Sequence, residues 1–261
     1  MIRTRTDDRV RVVTLDRPAR RNALRPRDLS ALRSAVADAE TPVTYLRGAG
    51  DAFCAGADLE AVADLDASGD VDVPNDFEVP DDSGDTDSAG AGADPTAASS
   101  FARLGQRTAA AIADADTVVV CGIDGAARGG GVELALAADV RVATPAATFA
   151  EPGVEFGLFG AWGGTVRLPR VMREGDALDF ALSGRVLDAD AALRTGLVSR
   201  VVDDPRAVAD TIAAGKPDAL RAIKRRIRDR RDDATQEAAE AAAFAALVRS
   251  HGGEIAAARG E

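Results

Sequence analysis

The sequence predicts an α/β fold built on a mostly parallel sheet, and three observations predict it. Short apolar runs recur at Val10–Leu15, 43–47, Val118–Ile123 and Val140–Ala143, each bounded by turn residues. Helically spaced segments lie between them, giving repeated strand-helix units whose crossovers make neighbouring strands parallel. From Gly175 onward the pattern is almost wholly helical, which sets a helical region, 201–261, behind a core of residues 1–200.

In order, residues 2–6 read as the hairpin partner of Val10–Leu15, and Asp16-Arg17-Pro18 ends that strand. Arg20-Arg21-Asn22-Ala23-Leu24 forms a basic loop, and Pro26 opens a helix through Leu29, Leu32, Val36 and Ala39. The strand at 43–47 leads through Gly48-Ala49-Gly50-Asp51 to Ala52-Phe53-Cys54-Ala55-Gly56-Ala57-Asp58-Leu59, a small-residue turn before a helical pattern at 59–65. Residues 66–98 are mainly Asp, Ser, Gly, Ala and Pro, the composition of a solvated, flexible acidic insertion. Ser99 or Ser100 is the expected cap of a helix through Phe101, Leu104, Thr108, Ile112 and Ala115. After the strands at 118–123 and 140–143, residues 147–158 read as loop or short strand, and 159–165 lead into a short helix ending near Pro169. Helices are expected at 177–183, 189–195, 205–214, 217–231 and 235–249, with a short strand at 197–202.

Composition narrows the function. The net charge is −11, and lysine occurs only at Lys216 and Lys224. Such an acidic, lysine-poor, aromatic-poor surface fits solubility in concentrated salt and excludes nucleic acid as a main ligand. Cys54 and Cys121, both in apolar surroundings, read as buried free thiols in a reducing compartment. The first residues lack the apolar core of a signal peptide, and no apolar run reaches membrane-spanning length, so a cytoplasmic protein without a membrane partner is expected. The one histidine, His251, reads as an exposed tail residue, and no metal site is expected. Proton transfer therefore falls to carboxylates.

One stretch concentrates the chemistry. Ala127-Arg128-Gly129-Gly130-Gly131-Val132-Glu133 lies between a strand and a helix. Three consecutive glycines let a backbone approach a ligand closely, and a helix N-terminus presents free N–H groups to developing negative charge. Glu133 falls in the first helical turn, where it serves either as a catalytic carboxylate or as a favourable partner of the helix dipole. The turn at 52–59 is a second place where backbone amides are set to face a ligand.

With both glycine turns placed, the chain resembles the enoyl-CoA hydratase/isomerase (crotonase) family. The resemblance is carried by Leu15-Asp16-Arg17-Pro18 with Asn22-Ala23-Leu24, by 53–59, by 125–135, by Ala161-Trp162-Gly163-Gly164-Thr165, by Leu182-Ser183-Gly184-Arg185 and by Thr195-Gly196-Leu197-Val198. It implies a spiral of ββα turns with a helical C-terminal region used to form a homotrimer or a dimer of trimers. It also implies an acyl-CoA substrate and no separate cofactor, the CoA being part of the substrate. The N–H groups of Ala57 and Gly130 would form an oxyanion hole for the thioester, and Glu133 would be the general acid/base. Ala55, Ala57, Asp58, Leu59 and Gly130, with Arg20 and Arg21 toward the nucleotide, would bind the substrate.

The chain departs from that family at one place. Its hydratases use two glutamates, and the second follows the proline in the loop after Phe149, where this chain has Pro152-Gly153. Glu133 then acts alone through a water relay, or Glu151 or Glu155 reaches in from two residues away, or the reaction differs. In an extended segment a shift of two residues moves a side chain by about 6–7 Å, large against hydrogen-bond reach. The leading expectation is hydration of a 2-enoyl-CoA. Isomerisation, decarboxylation, hydrolysis or C–C cleavage of an acyl-CoA, and non-catalytic acyl-CoA binding, stand as alternatives.

Overall fold

The computed structural model describes residues 2–67 and 96–258. The first turn of the chain is β1 (Ile2–Asp7), β2 (Val10–Leu15) and α1 (Pro26–Ala37). The second is β3 (Val43–Gly48), β4 (Ala52–Cys54), α2 (Leu59–Ala67) and α3 (Ala97–Asp114). The third is β5 (Val118–Ile123), β6 (Ala126–Arg128) and α4 (Gly130–Ala137). The fourth is β7 (Val140–Ala143), β8 (Thr148–Ala150), α5 (Gly164–Val171) and α6 (Glu174–Ser183). The chain closes with β9 (Leu187–Asp188), α7 (Ala189–Thr195), β10 (Arg200–Val201), α8 (Pro205–Ala213), α9 (Pro217–Arg228) and α10 (Asp233–Ala257).

Two sheets result. The larger has the order β1-β2-β3-β5-β7-β10 and is parallel except for the β1–β2 hairpin. The smaller has the order β4-β6-β8-β9 and is parallel except at β8–β9. The second, third and fourth turns thus each supply one strand to each sheet, which is a spiral of ββα units. A parallel bridge between Leu24 and Ala57 joins the first turn to the edge of the smaller sheet.

The central strands of the larger sheet, β2, β3, β5 and β7, are buried on both faces, which is why they read as largely apolar runs, whereas the edge strand β1 is exposed. Val13, Leu15, Leu46, Val119 and Cys121 face a core shared with Leu29, Leu32, Leu104 and Ile112. Val10, Val12, Val43, Tyr45 and Val120 face the other way, where Val208, Ala209 and Ala213 of α8 cover them. Cys54 and Cys121 are free and buried, and burial pushes both thiols up.

Some local details differ from expectation. The helix after the insertion starts earlier, so Thr96 is its cap, accepting from the Ser99 N–H at 3.2 Å. The expected insertion at 66–98 is bounded by α2 and α3, and its residues 68–95 lie outside the described residues. His251 is not an exposed tail group. It lies on α10, half-buried, with Nε2 2.8 Å from the Asp218 carboxylate of α9. No helix among the described residues is long and apolar enough to cross a membrane.

Candidate active site

The site begins with Asn22. It is buried in a left-handed conformation (φ 60°), which Asn tolerates better than most side chains. Its amide donates to the carbonyls of Ala49, Ala52 and Phe53, and its Oδ1 accepts from the Arg17 N–H. These bonds fix the path of β4 into the segment beyond it. There the Leu24–Ala57 bridge is made by Leu24 N–H to Gly56 O and by Asp58 N–H to Leu24 O, so the N–H of Ala57 takes no part in the pairing. Ala55, Ala57 and Leu59 alternate onto a cavity wall. Asp58 points the other way. It is paired with Arg17 and accepts from the Glu60 N–H at the start of α2, and the guanidinium beside it holds its carboxyl below the usual range. The structure therefore leaves Asp58 out of the cavity lining and makes it a brace for this segment.

The second wall is the N-terminus of α4. Gly130 is its first residue, so its N–H has no intrahelical acceptor. Gly56, at φ +86°, brings the two walls together, for a Cβ placed on it would sit 2.9 Å from Gly130 N and 2.6 Å from the Arg128 carbonyl. A Cβ on Gly130 would overlap the Trp162 ring at 2.2 Å, so only glycine lets the ring lie against this N-terminus. Trp162 in turn meets Phe101 edge-on, with ring centroids 5.6 Å apart.

Glu133 is 1% exposed. Its Oε1 accepts from the N–H groups of Trp162 at 2.8 Å and Gly164 at 2.7 Å. Gly160 and Gly164 make room for that cradle, since a Cβ on either would lie within 3.0 Å of the carboxylate. Burial raises the Glu133 carboxyl, while the two N–H donors and Arg167 pull it back.

These residues enclose a cavity of about 330 Å³. Its wall is apolar, with Val62, Leu65, Phe101, Phe156, Leu158 and Trp162 prominent. The only charged residues lining it, among the described residues, are Glu133 and Glu151. Arg20 lies outside, bridged to Glu60 at 2.9 Å on the surface. Arg21 is exposed close to Arg128, whose guanidinium is lowered first by burial and then by Arg21. Among the described residues no cluster of three or more His, Cys, Asp or Glu is arranged to hold a metal.

Glu151 follows β8, whose last residue Ala150 accepts from the Gly129 N–H at 3.0 Å, which brings the end of that strand to the glycine turn. Glu151 is 6% exposed, and its Oε1 is buried with no hydrogen-bond partner. Burial, and then the like charge of Glu133, push its carboxyl up to about 8. Glu155 is exposed beside Gly184 and does not line the cavity.

An enoyl-CoA hydratase/isomerase family model matches residues 10–256, nearly the whole chain. The chain belongs to the enoyl-CoA hydratase/isomerase family. It is 32% identical over 228 residues to the Mycobacterium tuberculosis protein named "Probable enoyl-CoA hydratase echA8", covering 84% of this chain and 77% of that one. It is 31% identical over 201 residues to a crotonyl-CoA hydratase of Syntrophomonas wolfei, covering 75% of this chain and 66% of that one. Among solved structures, an enoyl-CoA hydratase of Thermoplasma volcanium superposes with a TM-score of 0.78 at 28% identity, over 95% of this chain and 92% of that one. The two-sheet spiral is thus the crotonase fold.

Of the predicted site residues, the structure brings Ala55, Ala57, Leu59, Gly130, Glu133 and Glu151 to one cavity and leaves Asp58, Arg20, Arg21 and Glu155 outside its lining. Sequence reasoning missed Phe101, Trp162 and Arg167. Only Trp162 had a local signal, a large ring within an otherwise small-residue turn at 160–165.

Proposed function

We propose that this protein is an enoyl-CoA hydratase, adding water across the C2=C3 bond of a 2-enoyl-CoA. The observation that carries the reading is Glu133 in the first turn of α4, beside the unpaired Gly130 N–H and facing the Ala57 wall of an apolar cavity. The two N–H groups receive the thioester oxygen, where charge accumulates when water adds at C3. Donors already in position cost no reorganisation at that moment and are worth about 10²–10³ in rate each. The carboxylate of Glu133 takes the proton of the incoming water. The apolar wall takes an unfunctionalised acyl chain, and Arg21 with Arg128 offers positive charge to the CoA phosphates. Arg20, in the same basic loop, is held by Glu60 and would have to leave that bridge to join them.

The lining also weighs against decarboxylation of a malonyl-type CoA. Among the described residues no cation lines the cavity to hold a substrate carboxylate, and two glutamates would repel it. Finer expectations accompany the reading. Exposed Ile223 and Ile227 of α9 with Phe244 and Ile255 of α10 support self-association as a homotrimer or a dimer of trimers. The buried thiols and the net charge of −11 support a reducing, salt-rich cytoplasm.

The test is loss of the conjugated-thioester ultraviolet band of crotonyl-CoA in molar potassium chloride. Wild type should bleach it, and Glu133→Gln should bind the thioester without turnover. A wild type that binds crotonyl-CoA and leaves the band unchanged would defeat the hydratase reading.

A further inference from the structure

Hydration needs a second proton movement. As water adds at C3, C2 must receive a proton, and Glu133 has just accepted one. The family's position for a second carboxylate is closed in this chain. A Cβ on Gly153 would sit 2.9 Å from the Leu158 carbonyl oxygen and 3.1 Å from Phe159 Cα, both backbone atoms. The Leu158 N–H also donates to the Gly153 carbonyl at 2.9 Å, so the two segments are tied together. A glutamate at 153 would require this turn to open.

We propose that Glu151 is the second catalytic carboxylate of this site, the proton donor to C2, standing two residues ahead of the position that the backbone closes. The proposal rests on the hydratase reading and deepens it. Three observations converge on Glu151. It lines the same cavity as Glu133, Ala57 and Gly130. Its Oε1 is buried with no partner, whereas the other buried carboxylates Asp28, Asp58 and Glu133 are held by Arg25, Arg17 and two backbone N–H groups respectively. Among the described residues no cation pairs with it, so it has no structural task that would explain its burial beside a like charge.

The environments divide the work. Burial raises the Glu133 carboxyl, but two N–H bonds on Oε1 and the field of Arg167 oppose that rise. Glu151 has burial and the Glu133 charge, both favouring its neutral form. Donors and a nearby cation thus favour the anion at Glu133 relative to Glu151, and the pair's proton is assigned to Glu151. In the forward reaction the water oxygen bonds to C3 and its proton passes to Glu133. The C2=C3 electron pair moves toward the thioester oxygen, and as it returns C2 takes the proton from Glu151. Glu133 ends protonated and Glu151 ionised, and a proton passed from the first to the second restores the starting pair. No other co-reactant is consumed.

The experiment compares wild type, Glu151→Gln, Glu151→Asp and Glu155→Gln in two assays. One is crotonyl-CoA hydration. The other is exchange of the C2 protons of butyryl-CoA with deuterated solvent, which needs the C2 proton carrier and the oxyanion hole but no added water. Binding is read separately from the fluorescence of Trp162, the one tryptophan, which lies in the cavity wall. Glu151→Gln should lower kcat for hydration by about 10²–10⁴, lower exchange in parallel, and leave thioester affinity within about threefold. Glu151→Asp should recover part of the exchange, a rescue that a merely structural role would not give, and Glu155→Gln should match wild type in both assays. Glu151→Gln that binds, and turns over within about tenfold of wild type, would overturn the proposal while leaving the hydratase reading standing. Wild type that exchanges C2 protons but does not hydrate would overturn the hydratase reading, and the exchange rate of Glu151→Gln would still decide the role of Glu151. A wild type that does neither would overturn both.

Discussion

Replacing Glu151 by glutamine should make the protein more stable at alkaline pH while changing its stability by less than about 1 kcal/mol near pH 5. Burial and Glu133 push the Glu151 carboxyl up from the ordinary 4.5 to about 8. The folded chain therefore keeps a proton that the unfolded chain releases once pH passes 4.5. Across that interval the folded state binds more protons, so native stability falls as pH rises and levels off above about 8. At 1.36 kcal/mol per unit, the full interval is worth about 5 kcal/mol as an upper bound. The cavity admits solvent and Glu133 shares the titration, so we expect on the order of 2–4 kcal/mol. Glutamine is close in size and does not titrate. The assay is urea denaturation of both proteins in concentrated potassium chloride at about pH 5 and about pH 9, read by Trp162 fluorescence and by circular dichroism. The glutamine variant should gain on wild type far more at the higher pH than at the lower. If the two proteins lose or gain stability in parallel across that range, Glu151 does not hold a proton in the folded state, and its assignment as proton donor loses its basis.

Gly130→Ala would place a methyl group 2.2 Å from the Trp162 ring, displacing both the ring and the N–H beside it; hydration of crotonyl-CoA should fall by about 10²-fold or more. Asn22→Ala would leave the carbonyls of Ala49, Ala52 and Phe53 and the Arg17 N–H without their buried partner; we expect a loss of about 2–4 kcal/mol, read as a lower urea midpoint. Asp139→Ala would strip buried Lys224 of its carboxylate at 2.9 Å, release Arg228 and leave the Val119 N–H without its acceptor; a destabilisation of about 3–5 kcal/mol should follow, again measured by urea denaturation.

What could be read from the sequence follows from how strongly local pattern determined local structure. β2, β5 and β7 were legible because a strand buried on both faces must be apolar at nearly every position, as Val118 to Ile123 is. Gly129-Gly130-Gly131 with Glu133 was legible because close backbone approach and a first-turn carboxylate are local properties. β4, β6 and β8 have only three residues each and carry no usable period; they are strands because their neighbours in the smaller sheet pair with them. The contacts of Trp162 with Phe101 and Gly130 are likewise tertiary, and no spacing in the sequence announces them.

The question of the second carboxylate shows where the local argument failed. A displacement of about 6–7 Å for a two-residue shift assumes an extended chain. The chain is not extended there. Pro152–Phe156 forms a 3-10 turn, and Gly153 is tied back to Leu158, so position along the sequence no longer maps linearly onto position in the cavity. The same loop then continues to Trp162 and Gly164, whose N–H groups hold Glu133 Oε1. One loop therefore performs two tasks. It closes residue 153 to any side chain, and it supplies hydrogen bonds that favour the anion on Glu133 while sending none to Glu151 Oε1. On the proposed assignment, two carboxylates of the same chemistry divide into a base and an acid because the backbone donates to one and not to the other. By that reasoning, moving the carboxylate back to position 153 would disturb more than that side chain, since opening the turn would also loosen the cradle of N–H groups that holds Glu133 Oε1.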